Sequence, residues 1–366
     1  MGTSVLISGA GIGGSALAYL LGRAGFRVTV VERAAGTRSS GNPVDVRGPA
    51  VAVVEEMGLL PALRAAATGA DRLVFVDAAG RARTSIRTGG RDGALEVPRA
   101  RLADILLGAA REHAEVRRRD SITALTQDDS GVTVTFERGA PATYDYVVGA
   151  DGLHSTVRGL VFGPERDLVR HMGMYVATVP AGRSYGAGGD VLMYNSPGRA
   201  VSVHPGGGSP LAAFMFRSPV ISGLGHHDLD RHRDLIRSAF GGNAGIFGEV
   251  LDRVRTADDL YFDSVSRVRL PHWSIGRVTL LGDAASSVSL FGDGSSLAIA
   301  AARTLADELT GAPGDPGGAL GRYERRHRSL TGPVHRRARL GATFLVPGTR
   351  AGITVRDTAL RAFSPR

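Results

Sequence analysis

One stretch, Val5 to Glu32 (VLISGAGIGGSALAYLLGRAGFRVTVVE), restricts what this chain can fold into more than any other. Val5-Leu6-Ile7-Ser8 is an apolar run that stops at glycines, and Gly9, Gly11 and Gly14 stand at G-x-G-x-x-G spacing. Ser15 to Ala24 then read as a helix, and Phe26 to Val31 as a second β-branched run closed by Glu32. Strand, glycine turn, helix, strand and acid, in that order, are what a dinucleotide site requires. Gly9 permits the tight turn, Gly11 lets the backbone approach a pyrophosphate, and Gly14 lets the helix lie against the strand. The phosphates rest on the helix N-terminus, where unpaired N–H groups and the macrodipole favour negative charge. Glu32 is placed to accept hydrogen bonds from both ribose hydroxyls of an adenosine. A carboxylate there repels a 2′-phosphate, which points to FAD or NAD as the resident nucleotide rather than NADP.

The 366 residues are enough for one large domain or two interleaved ones. Cysteine is absent, so disulfides, thiolate-held metal and cysteinyl attachment of a flavin are all excluded. The expected setting is a reducing cytoplasm. No apolar run reaches membrane-span length, and the first apolar segment lacks a basic leader region. All 44 basic residues are arginine and exceed the 35 acidic ones by nine, but they form no long block. The densest runs, Arg117-Arg118-Arg119 and Arg325 to Arg339, read as exposed faces. Neither a nucleic-acid nor a membrane partner is expected.

Further along, Ala50 to Met57 reads as a helix with a Gly58 to Pro61 stop, and Leu73 to Asp77 with Ala82 to Arg87 as a hairpin. A helix follows Pro98-Arg99 through Glu112, a second hairpin spans Ile122 to Glu137, and Tyr146-Val147-Val148 is a buried strand. From Met172 to Arg217 short β-like runs alternate with Gly/Pro turns, the texture of an antiparallel sheet in a second domain. Helices are expected over Asp228 to Phe240, Ser295 to Leu309 and Leu320 to Ala338, with strands over Tyr261 to Arg269 and Arg277 to Leu281. His226, His227, Asp228, Asp230 and His232 suit a solvated loop with Asp228 as helix cap better than a metal site. Trp273 reads as a packing residue, and no G-x-S-x-G elbow of a serine hydrolase is present.

Two more constellations sit where ligands of open α/β sheets bind, beyond the carboxyl ends of strands. In the run from Gly149 to Arg158, Asp151 and Gly152 occupy a strand-to-helix turn and Ser155 is placed to cap the helix. In the run from Gly276 to Ala285, Asp283 ends a buried strand and suits a polyol chain. Gly292-Asp293-Gly294-Ser295 then opens a helix whose free N–H groups would face a negative centre.

Taken in order, these three motifs resemble the G-x-G-x-x-G, D-G and G-D motifs of the FAD-dependent monooxygenases related to p-hydroxybenzoate hydroxylase. That family includes tetracycline-inactivating and aromatic-polyketide hydroxylases, and the resemblance runs from Val5 to about Ala338. It implies an α/β fold: a Rossmann-like FAD-binding domain (residues 1–67, 97–170 and 266–366) interrupted by an antiparallel β-sheet substrate domain (68–96 and 171–265), with C-terminal helices. It also implies non-covalent FAD, with NAD(P)H as a transient co-substrate and O2. The implied reaction is hydroxylation of an aromatic or polyketide-like small molecule through a flavin C4a-hydroperoxide. By resemblance, Glu32 is the ribose-binding acid, Arg33 flanks the adenine, and Arg99 lies near the ribityl chain and phosphates. Asp151 is the D-G aspartate, Asp283 the ribitol-binding one, and Asp45 and Arg47 belong to a loop near the flavin. Gly292, Gly294, Ser295 and Ser296 form the helix start beside reduced flavin. No side chain is expected to act as catalyst. The run Ser286 to Phe291 lacks the His and Pro that relatives often carry after Gly-Asp-Ala-Ala. That departure keeps a non-oxygenating flavoprotein, a dehydrogenase or cyclase, as the alternative.

Overall fold

The computed structural model describes residues 2–36, 42–88, 93–205, 210–225, 228–242, 244–287, 293–312 and 315–363. Val5, Leu6 and Ile7 have no exposed surface, because their strand, Ser4–Ser8, lies at the centre of a sheet covered on both faces. In spatial order that sheet runs Ser274–Ile275, Val278–Leu280, Tyr146–Gly149, Ser4–Ser8, Arg27–Glu32 and Ala114–Arg118. All neighbours are parallel except the first pair. From the carboxyl end of Ser4–Ser8 the chain goes on to Arg27–Glu32 on one side, whereas the strand after the neighbouring Tyr146–Gly149 in this sheet, Val278–Leu280, lies on the other, so connections diverge between these two strands. This is the switch point at which such sheets open a crevice. Helices Ile12–Arg23 and Gly294–Gly311 pack over one face through small residues: a Cβ on Gly13 would stand 2.5 Å from the Leu281 side chain and 3.2 Å from Ala298 Cβ.

A second sheet holds seven strands in the order Tyr261–Val268, Val169–Pro180, Leu211–Arg217, Arg199–His204, Asp190–Ser196, Arg72–Val76 and Ala82–Arg87. Its pairings are antiparallel except between Asp190–Ser196 and Arg72–Val76. The period-2 alternation of its strands sorts apolar side chains onto both faces. Val74, Val76, Tyr175, Phe214 and Phe216 meet Ile236 and Phe240 of helix Leu229–Phe240, whereas Leu73, Phe75, Met174, Val176 and Met215 meet Ala342 and Val346 of the C-terminal segment. The last helix, Arg350–Phe363, is pinned to this second face by Arg356. Its guanidinium carbon lies 3.9 Å from the Phe75 ring centre, and it donates to Asn195 Oδ1 (2.8 Å) and to the buried Asp357 carboxylate (3.0 Å).

Three local expectations need correction. Pro61 does not end a structure: it stands in the first turn of a further helix, Leu60–Ala66, where its missing N–H costs nothing. Arg117 and Arg118 are not a surface run but the end of strand Ala114–Arg118, half-buried beside Glu32; Arg119 alone is exposed. The basic helix runs Pro316–Leu345, beyond Ala338 and through Pro333. Among the described residues, no helix is long and apolar enough to cross a membrane.

Candidate active site

A cleft of about 330 Å³ opens at the switch point. Into it face Gly9, Gly11, Glu32, Arg33, Arg99, Asp151, Gly152, Asp283, Gly294 and Ser295, brought together from five separated stretches of sequence. Gly14, Asp45, Arg47 and Ser296 do not line it, and Gly292 lies outside the described residues.

The glycines of the first turn differ in what surrounds them. Gly9 has φ +105°, and a Cβ there would meet the Ala150 carbonyl oxygen at 2.6 Å. Gly14 is beneath the turn, and its Cβ would stand 2.0 Å from the Gly9 carbonyl oxygen, so helix and strand can touch only without a side chain. At Gly11 a Cβ would meet nothing within 4 Å. That space is the cleft itself, at the N-terminus of helix Ile12–Arg23.

Glu32 ends its strand with both carboxylate oxygens held by backbone: Oε2 accepts from Ala10 N (2.9 Å) and Oε1 from Ala34 N (2.8 Å). The head is thus fixed in direction while each oxygen keeps a second lone pair for a ligand hydroxyl. Arg118, on the neighbouring strand end, donates to the Ala35 carbonyl (3.1 Å) and lines the same wall as Asp120 and Ser121. Asp120 is buried and spends its carboxylate on the backbone N–H groups of Ser121, Arg138 and Gly139 (2.9, 3.0 and 3.1 Å), tying the second hairpin to the sheet.

The D-G turn is built from inside. Asp151 accepts from Ser155 Oγ (2.5 Å) and Val157 N (3.1 Å), and Ser155 caps helix Thr156–Val161 by accepting from Arg158 N (3.0 Å). Burial pushes the Asp151 carboxyl above its usual range, with these hydrogen bonds opposing. Arg158, with no exposed surface, reaches from this helix to the carbonyls of Ala284 (3.2 Å) and Leu153 (2.5 Å). Through it the D-G and G-D turns hold each other in place.

On the opposite wall, Gly294 begins helix Gly294–Gly311, and a Cβ there would lie 3.6 Å from Asp283 Oδ1. Ser296 faces away from the cleft and acts as a clamp. Its Oγ donates to the Asp45 carbonyl (2.8 Å) and accepts from Arg47 N (3.0 Å), while Arg47 Nε donates to Asp293 (2.6 Å). Burial raises the Asp45 carboxyl against the pull of Arg47.

Sequence reasoning missed a polar cluster at the mouth between the two sheets. Tyr261 and Asp263, two apart on one strand and hence on one face, line the cleft beside His154. The Tyr261 hydroxyl donates to Asp263 Oδ2 (3.2 Å), and burial raises its pKa. His154 lies 3.1 Å from Asp263 Oδ1 through Nε2 and 2.9 Å from Glu165 Oε1 through Nδ1. Burial opposes a charge on this imidazole, but the two carboxylates outweigh it and lift the pKa to about 9, so His154 is a cation at neutral pH. Period-2 patterning of residues 261–268 was the available signal for Tyr261 and Asp263. Their pairing with His154, 109 positions away, had none.

The donor set suits FAD. An adenosine end would meet a fixed carboxylate at Glu32, a pyrophosphate would find a helix N-terminus and an open cradle at Gly11, and a polyol chain would find Asp283. Arg33, Arg99 and Arg118 line the same cleft and give it a positive charge suited to an anionic ligand. Comparison with known proteins agrees. A family model described as an FAD binding domain matches residues 2–328. An uncharacterized protein of Mycobacterium tuberculosis is 38% identical over 333 residues, covering 85% of this chain and 86% of its own. A flavin-dependent monooxygenase of Legionella longbeachae is 31% identical over 334 residues, covering 89% and 85%. Among solved structures, the tetracycline destructase Tet(51) superposes with TM-score 0.85 at 28% identity over 99% of this chain and 96% of that one. By fold, sequence and motif set alike, the chain belongs to the family of FAD-dependent monooxygenases.

Proposed function

We propose that the chain uses NAD(P)H and O2 to hydroxylate an aromatic or polyketide-like small molecule. The observation that carries this reading is the convergence of Glu32, Arg99, Asp283 and the Gly294 helix start on one cleft at the switch point of the parallel sheet. The tetracycline destructase likeness supports a polycyclic, oxygen-rich substrate.

In this reading residues 1–67, 97–170 and 266–366 form the flavin domain, and 68–96 with 171–265 the substrate domain. Glu32 accepts from the adenosine ribose, and Arg33 with Arg118 flanks the adenine end. The N–H groups at the start of helix Ile12–Arg23 hold the pyrophosphate with Arg99. Asp283 accepts from the ribityl hydroxyls, and the helix beginning at Gly294 stabilises negative charge at the pyrimidine edge. Asp151 acts indirectly, by shaping the D-G turn that forms the wall; the Ser296 clamp does the same for Asp45 and Arg47. Bound FAD supplies the redox and oxygen chemistry; the protein binds, orients and excludes water.

The test is a screen of phenolic and polyketide compounds for stimulated NAD(P)H oxidation by the yellow holoprotein, with product mass measured under 18-O2. Stimulation with one heavy oxygen in the product is the expected result. Product without the label would replace hydroxylation by a dehydrogenase or cyclase activity.

A further inference from the structure

The cluster at the mouth of the cleft is a continuous line of hydrogen bonds. It starts at the Tyr261 hydroxyl, which lines the cleft and lies within electrostatic reach of Arg99 and Asp283. It passes to Asp263, then across to His154 and on to Glu165. Side-chain exposure rises outward along it, from 13% at Asp263 to 19% at His154 and 42% at Glu165, so one end is in the cleft and the other in water. Every link is a group that can both take and give a proton. The wall it crosses is formed by the D-G turn on one side and strand Tyr261–Val268 on the other.

We infer that Tyr261, Asp263, His154 and Glu165 form a proton relay that joins solvent to the cofactor cleft. The inference rests on the monooxygenase reading, whose stoichiometry consumes a proton: substrate, NAD(P)H, O2 and one proton give hydroxylated product, NAD(P)⁺ and water. The line of hydrogen bonds gives that proton a route through the wall of the cleft. Tyr261 gives its hydroxyl proton to a base in the cleft and takes one from Asp263. Asp263, a carboxylate at rest, receives that proton from His154 Nε2; the ring keeps its Nδ1 proton and turns so that the vacated Nε2 meets Glu165, which passes on a proton from water. Each group ends as it began, and no oxidant or reductant takes part. The hydroxyl hydrogen of Tyr261 rotates between its two partners; in the resting arrangement it points at Asp263.

The charged neighbours suit this task. His154 is faced by Glu165 from helix Glu165–Leu168 and by Asp263 from the strand. Arg158 steadies the second Glu165 oxygen at 3.3 Å, and Asp151 of the same turn is engaged by Ser155 and Val157. The cation is therefore held between two carboxylates that share its proton rather than trapped in one salt bridge. Tyr261 stays a neutral hydroxyl, as a conduit requires.

The experiment needs no organic substrate. Holoprotein reduced with dithionite is mixed with oxygenated buffer, and return of the flavin's visible band is followed in H2O and D2O. Oxygen takes two electrons and one proton from the reduced flavin and one further proton from solvent, giving H2O2. Wild type is expected to reoxidise with a solvent isotope effect. Tyr261→Phe and His154→Gln are expected to slow at least about tenfold, the low end of what proton-transfer groups contribute. Their FAD dissociation constants should remain within about threefold of wild type, since neither side chain is assigned a hydrogen bond to the cofactor. Added imidazole should restore the rate of His154→Gly in proportion to its concentration, which a merely structural role would not produce. Variants that bind FAD and reoxidise like wild type overturn the relay and leave the monooxygenase reading intact. Slowed and rescued variants of an enzyme that oxygenates nothing support the relay and overturn that reading. A chain that takes up no flavin overturns both.

Discussion

At the scale of single residues, two glycines three positions apart make opposite demands. Gly11 faces the open cleft with an ordinary backbone conformation, φ −74°, whereas the Gly14 Cβ would collide with a backbone oxygen at 2.0 Å. Gly11→Ala is therefore expected to fold with a melting temperature within a few degrees of wild type and to lose FAD affinity by about tenfold or more, because a methyl group displaces the pyrophosphate from its N–H groups. Gly14→Ala is expected to lose soluble, folded protein, since neither the Gly9 carbonyl nor the helix can yield. Thermal melting and flavin-fluorescence titration separate the two outcomes. Both glycines were legible in the sequence because the motif is local: strand, turn and helix are consecutive. Arg118 shows the opposite case. Within a run of three arginines it reads as a solvated surface, and only the strand pairing with Arg27–Glu32 brings it to the crevice. Asp120 was equally hidden, since its partners include the backbone of residues 18 and 19 positions away.

Among elements, the turn carrying His154 and the strand carrying Asp263 are joined by a charge whose worth depends on pH. With the pKa raised from 6.5 to about 9, the stabilisation is complete below pH 6.5 and disappears as the pH rises through about 9. Its full size is on the order of 3 kcal/mol at most, from 1.36 kcal/mol per pKa unit. Melting temperature is thus expected to fall between pH 6.5 and 9 in wild type and to fall less in His154→Gln; parallel curves would show that the pairing contributes nothing. Strands and helices with clear period or caps were legible, including the Asp228 cap, which accepts from Arg231 N at 3.2 Å. Strand Ala114–Arg118 was not. Its charged, half-buried sequence lacks alternation because it is the edge strand of a parallel sheet, and edge strands have less to bury. Helix Leu60–Ala66 was lost because proline serves as both a stop and a start, and only the turn geometry tells them apart.

For the molecule as a whole, the C-terminal segment is fastened to the second sheet away from the cleft. Arg356 and Asp357 bury an ion pair under the last helix, against Phe75 and Asn195 of the second sheet. Arg356→Met leaves the Asp357 carboxylate without its partner and is expected to cost about 3–5 kcal/mol, whereas Arg356→Met with Asp357→Leu should recover most of that loss. Denaturant unfolding of both variants measures the difference. The overall architecture was legible as a glycine-rich nucleotide fold broken by β-texture, because the two parts have different sequence periods. Contacts across the break were not, since nothing local records that Asn195 and Arg356 meet.

The order of strands in the first sheet carries a consequence for the chain's birth. Its strand Val278–Leu280 pairs with Tyr146–Gly149, yet all but the first two of the seven strands of the other sheet are encoded between them. A ribosome therefore releases the whole insert before the nucleotide layer receives its last strand. Until then, the apolar flank of residues 146–149 waits uncovered, a period in which a nascent chain depends on speed or on chaperones. Moving the ends of the gene so that residues 266–366 are made first should shorten that wait and raise the yield of folded protein from unassisted translation.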